Sequence, residues 1–266
     1  MIELRQTALE ILAITDPKTK VARVQDLFDQ YHQRSVELNA MDVFSTDDIE
    51  LPGRPDRPEL IPPLKVPKRS MATHEGRVSL LHSLAHIEFN ALNLALDAVW
   101  RFPNMPTQYY ADWLSVAKEE AHHFCLIETH LQSLGFTYGD FPAHNSLWEM
   151  VERTSEEAIA RMALVPRTME ARGLDAVPAI RERFKQIKDT QVVEILDIIL
   201  RDEIGHVSIG NKWFNFLCDQ DNLSAISTYK ALARKYRAPI LRGPFNLEGR
   251  KQAGFTREEL SLLGVD

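Results

Sequence analysis

A glutamate followed three residues later by a histidine occurs twice, in Glu120-Ala121-His122-His123 and in Glu203-Ile204-Gly205-His206, each time directly after a second acid, Glu119 or Asp202. On a helix, residues three apart lie roughly 60° apart around the axis and about 4.5 Å along it, so the two side chains of such a pair reach one point in space. An isolated glutamate precedes each pair at a matched distance. Glu88 lies 32 residues before Glu120, and Glu170 lies 33 before Glu203, which makes a repeat with an offset of 82 or 83. Two helices of about 20 residues joined by a turn fill that spacing. Two such hairpins supply one glutamate from each of two helices and Glu-x-x-His from each of the other two, the ligand pattern of a dimetal carboxylate site inside a four-helix bundle.

Helical phase tests whether these residues face inward. Trp113, Ala117, Phe124, Ile127 and Leu131 share a face with Glu120 at its centre and His123 on its flank, while His122 points away. Val192, Leu196, Ile199 and Val207 form a stripe that holds Glu203 and His206, and Glu88 sits with Leu81, Leu84, Leu92 and Ala95. His82, His86, Asn90, Asn93 and Asp97 cluster on a separate polar face, expected to be surface or hydrogen-bonded positions, with Asp97 and Arg101 an i,i+4 pair. Glu170 falls at the edge of the Val151, Ala158, Met162, Val165, Met169 stripe, where Pro166 is expected to kink the helix and disturb the count; Glu152 and Glu156 are fallback ligands whose distances from Glu203 break the repeat.

Four carboxylates in one core would be prohibitive as bare charges, because each costs several kcal/mol to bury. Two divalent cations cancel them, and neutral histidines complete the coordination. Glu88, Glu120, His123, Glu170, Glu203 and His206 are therefore the candidate ligands. An oxygen-rich set with two nitrogens suits iron or manganese better than zinc, which favours about four ligands with more sulfur or nitrogen. Glu119 and Asp202 are candidates to accept the remaining N–H of a ligand histidine.

The rest of the chain frames that core. Apolar spacing predicts helices within 2–15 and 20–40, broken at Asp16-Pro17. Pro52, Pro55, Pro58, Pro62, Pro63 and Pro67 exclude regular helix over 51–67, a segment expected to be extended over the surface or partly mobile. Helical patterning runs from about 76 to 217, with stops at Phe102–Pro106, Leu134-Gly135 and Tyr138–Pro142, and with Gly173 read as a C-cap. A basic tail follows, with Lys230, Arg234, Lys235, Arg237, Arg242, Arg250 and Lys251. The expected organisation is an N-terminal region 1–75, a bundle 76–218 and a C-terminal extension 219–266. A net charge of −7 argues against general nucleic-acid coating, although the tail could localise a phosphate-bearing substrate or RNA. Cys125 and Cys218 are too few for a disulfide framework and read as packing residues. No span-length apolar run and no signal-like start appear, so a cytoplasmic protein free of the membrane is expected.

The acid-Glu-x-x-His pairs resemble the ferritin-like diiron carboxylate superfamily, several of whose members carry an arginine where this chain has His122 and Gly205. The segments His86–Phe89, Leu96–Phe102, Tyr138–His144, Met169–Asp175, Arg201–Val207 and Arg242–Asn246 are similar to a bacterial ferritin-like domain of unknown function, family 455, over most of the chain. A more distant likeness is to ferritin-like tRNA-modifying hydroxylases. The resemblance implies an all-α, ferritin-like four-helix bundle and supports Glu170 as a ligand, but that family has no assigned reaction.

The expected function is a dimetal, diiron-type oxygenase or hydroxylase with an external electron donor and an unknown small-molecule or RNA substrate, working as a monomer or small homo-oligomer. The rivals are a ferroxidase or other metal-handling protein, and a metal-free RNA-binding or scaffold bundle.

Overall fold

A computed structural model describes residues 2–44, 46 and 49–263. Among the described residues, the chain is all-α apart from a two-stranded parallel pairing of Ile2–Glu3 (β1) with Val36–Glu37 (β2) and an isolated bridge between Leu60 and Ala143. It folds as two compact units, Met1–Trp148 and Glu149–Asp266. Among the described residues, no helix is long and apolar enough to cross a membrane.

In the first unit, α1 (Leu4–Leu12) and α2 (Pro17–His32) are separated by Asp16, whose carboxylate accepts the Thr19 backbone N–H at 2.8 Å while Pro17 starts the next helix. That is the ordinary start signal of a helix: an acceptor for an orphan N–H and a proline where no N–H is needed. The centre of the unit is a hairpin of α3 (His74–Arg101) and α4 (Thr107–Ser133). Thr73 Oγ1 accepts from Gly76 N–H at 3.1 Å to open α3. Gly135, at φ +82°, closes α4, with Phe136 N–H donating to Leu131 O and Gly135 N–H to Gln132 O, both at 3.0 Å. Those two bonds make a Schellman motif, which needs a residue free to adopt the left-handed conformation. Tyr109, Tyr110, Trp113, Leu92 and Val99 fill the hairpin's core.

The proline-rich segment is pinned down. Ile61 N–H donates to Ala143 O, and Ala143 N–H to Glu59 O, both at 2.9 Å. The buried Lys20 ammonium donates to Leu12 O (3.0 Å), Gly53 O (2.9 Å) and Asn93 Oδ1 (2.7 Å), tying α1, the segment and α3 together.

The second unit begins within α5 (Ser146–Arg153) and continues through α6 (Ala158–Leu164), a π-helical stretch at Val165–Glu170, and α7 (Ala171–Gln186). There follow α8 (Thr190–Gln220), α9 (Ala225–Lys235), α10 (Leu247–Gln252) and α11 (Arg257–Ser261). One sequence expectation changes here, at Gly173. Pro166 sits inside a π-turn, whose wider spacing accommodates a residue with no N–H to donate. Gly173 is no C-cap: it lies within α7, which runs on through Pro178. A Cβ at Gly173 would lie 3.7 Å from Glu203 Oε2, so the glycine marks a close approach of α7 to α8.

The C-terminal segment is part of this unit's packing. Arg250, one of the tail cations, is buried and bonded to Asp175 at 2.6 and 3.0 Å. Arg167, also buried, pairs with Glu259 and lies over the rings of Phe214, Tyr229 and Phe255.

Candidate metal centre

In the first unit, three of the expected ligands meet. Glu88 on α3 and Glu120 and His123 on α4 are buried, the last two with no exposed surface. His123 Nδ1 lies 3.2 Å from Glu88 Oε2 and 3.4 Å from Glu120 Oε2. Each of the three offers a ligand atom within 4.8 Å of the others. Ligands about 2.0–2.2 Å from a common ion stand roughly 3–3.5 Å apart in tetrahedral or octahedral geometry. The observed separations have that size, and the donor types are those of a hard or borderline divalent cation.

The electrostatics point the same way. Within the trio, two carboxylates face one imidazole nitrogen. Protonating His123 would cancel one negative charge, whereas a divalent cation cancels both and lets His123 act as a neutral ligand. Buried Glu88, Glu120 and His123 could thus hold a metal ion.

The second unit holds the matching three residues. Glu203 and His206 are buried on α8, with His206 Nδ1 3.8 Å from Glu203 Oε1. Glu170 is buried at the last position of the π-helical stretch, while Met169, which straight α-helical counting puts inward, is only half-buried. The extra residue in the turn shifts the phase and carries Glu170 inward. Asp202 is half-buried and accepts from the Arg201 guanidinium at 2.8 and 3.1 Å; Glu119 is half-buried on α4.

A further cluster in the first unit was visible in sequence only as a polar face. His82, His86, Asn90, Asn93 and Asp97 are all buried. Asp97 takes Arg101 at 2.7 Å. His82 Nε2 accepts the Gly139 backbone N–H at 2.8 Å, and its ring stacks on Tyr138 at 5.5 Å. Burial pushes the His82 imidazole down to about 4. His86 is also pushed down to about 4 by burial. Its Nε2–H donates to His144 O (3.1 Å), which leaves Nδ1 to accept from Tyr138 O–H (2.8 Å). Burial, aided by the Arg54 charge, lowers Lys20 to about 7. The signal for this cluster was a helix polar on the face opposite its ligand face, next to a proline-rich segment able to cover it.

The family described as "Protein of unknown function (DUF455)" matches residues 13–261. A curated protein of Haemophilus influenzae, described as uncharacterized, is 46% identical over 261 residues, covering 95% of this chain and 90% of the relative. No solved structure matches the chain.

Proposed function

The chain belongs to the DUF455 family, and from that premise we propose that it is a dimetal carboxylate oxidoreductase, of the oxygenase or hydroxylase kind, that uses iron. The observation that carries this reading is the buried Glu88–Glu120–His123 trio, with donor separations suited to one divalent ion. The sequence repeat supports the second half: Glu170, Glu203 and His206 recur at the same spacing and would complete a set for two ions.

The metal pair would supply two-electron reduction of dioxygen when bound. The chain's own residues set the conditions for it. Glu88 and Glu120 carry the charge that holds the ions, and His123 and His206 add neutral nitrogen donors. The complete burial of Glu120, His123 and His206 keeps bulk water away from them. Phe89 and Phe124, with ring centroids 5.2 Å apart, extend the apolar surroundings on α3 and α4. Glu119 and Asp202 would orient ligand imidazoles. No flavin- or nicotinamide-binding motif accompanies the site, so electrons would come from a separate donor.

Anaerobic loading with Fe(II) followed by oxygen tests the reading. It predicts a rapid near-ultraviolet absorbance change that ends at the bound iron and is lost in Glu203→Ala. Slow growth of a ferric core far beyond that stoichiometry would favour storage instead. No oxygen-dependent change would remove the oxidoreductase reading.

A further inference from the structure

The buried polar face of α3 is hollowed by two small chambers that share His86 and Asn90 in their walls. The inner one, of about 30 Å³, is bounded by Arg54, Asn93 and Tyr138 with Pro55, Pro58 and Phe89. The outer one, of about 270 Å³, lies under Pro63, Val66, Ile87 and Leu147, with Lys68 and Ser83 at its walls. Among the described residues, neither chamber has an aspartate or glutamate in its lining.

Asn93 gives the inner chamber its direction. It has no exposed surface, and its Oδ1 accepts from Lys20 Nζ at 2.7 Å. An ammonium can meet only the oxygen of an amide, so the NH2 group is turned the other way. That Nδ2 is buried and makes no hydrogen bond among the described residues. A buried amide N–H in a chamber wall calls for an acceptor. Arg54 borders the same chamber. His86 itself is engaged by Tyr138 and His144 O, so it keeps no N–H for a ligand.

We propose that this cleft, between the proline-rich segment and α3, binds a small organic carboxylate with a short apolar body. The carboxylate oxygens take Asn93 Nδ2–H and the Arg54 guanidinium in the inner chamber. The body lies in the outer chamber against Pro63, Val66, Ile87 and Leu147. Size selects the head group: a water needs roughly 10–15 Å³ of such space, so the inner chamber has room for two oxygens and not for a tetrahedral phosphate. Arginine with an amide donor is a strong acceptor-reading pair for a planar carboxylate.

The test is calorimetric titration of the full-length protein with hexanoate, its neutral isostere hexanamide, acetate and inorganic phosphate. Hexanoate is expected to bind, with hexanamide weaker by about ten-fold or more, since a charged hydrogen bond is lost. Arg54→Gln should weaken hexanoate by a similar factor. Ser83→Phe, at a half-buried wall of the outer chamber, should block hexanoate and leave acetate binding intact. Equal binding of hexanamide, binding of phosphate in place of hexanoate, or no binding of hexanoate overturns the proposal. So does hexanoate binding undiminished in both variants, the result expected if it ligated a bound metal. The comparison of hexanoate with hexanamide on the unaltered chain needs no variant to fold.

Discussion

Glu120 shows how much one buried carboxylate constrains. It has no exposed surface and lies 3.4 Å from His123 Nδ1, which itself approaches Glu88. Glu120→Gln keeps the shape and removes the charge, so elemental analysis should find bound metal reduced to half or less, with His122→Gln, at an exposed position of the same helix, close to the parent. His82 gives a pH prediction away from the ligands. Its folded value, about 4, lies below the ordinary imidazole value of 6.5, so between these the native state binds fewer protons than the unfolded state. Stability from His82 is therefore full above pH 6.5 and is lost as pH falls toward 4, by about 3 kcal/mol at most. Protonating Nε2 would also end its acceptance of Gly139 N–H. Urea denaturation at pH 7 and pH 4.5 should show a smaller loss in His82→Gln than in the parent. The burial of both glutamates and both histidines of the Glu-x-x-His pairs was legible in the sequence, because a polar residue in an apolar stripe stands out. The burial of His82 and Asn93 was not, because it depends on a distant segment, not on the helix's own pattern.

At the scale of the element, glycines and one proline decide how the second unit presents its acids. A Cβ at Gly210 would lie 2.6 Å from Pro166 Cβ, so α8 meets the π-helical stretch there by contact that only glycine allows. Gly210→Ala must push the two apart, at a cost of about 1–3 kcal/mol in thermal denaturation, and should lower metal content through Glu170. Gly205 offers the opposite case. Nothing lies within 4 Å of a Cβ there, and it is inside α8, so Gly205→Ala should stabilise by about 0.5–1 kcal/mol. An equal effect of the two substitutions would contradict this account. The turn between α3 and α4 and the end of α4 were readable from the breakers Phe102–Pro106 and Leu134-Gly135. Gly173 misled because a glycine that permits close packing looks, in sequence, like one that ends a helix. The π-turn was hidden because one extra residue in a turn leaves no mark on composition; only the disturbed phase around Pro166 hinted at it.

On the scale of the whole molecule, the chain is a family member with internal repetition and a C-terminal segment that completes its second unit. Arg167 is buried with Glu259 as its ion-pair partner, and removing one member of such a pair leaves a buried charge uncompensated. Glu259→Ala should cost about 3–5 kcal/mol in chemical denaturation, while Glu258→Ala, at an exposed neighbour, should stay within about 0.5 kcal/mol. The basic tail was legible from composition as a cluster of cations, but not the burial of Arg250, since composition cannot tell which cations find partners such as Asp175. The all-α class followed from helical periodicity and the matched spacing of Glu88 to Glu120 and Glu170 to Glu203. The substrate did not, because its recognition depends on the shape of a cleft. The central claim is that those repeated acids and histidines hold metal. Metal per chain, measured by elemental analysis after anaerobic Fe(II) loading and removal of excess, tests it most directly. The account predicts about two ions per chain, bound tightly enough to raise the melting temperature. No retained metal, or the same retention and melting temperature in Glu120→Gln and Glu203→Ala, would contradict it.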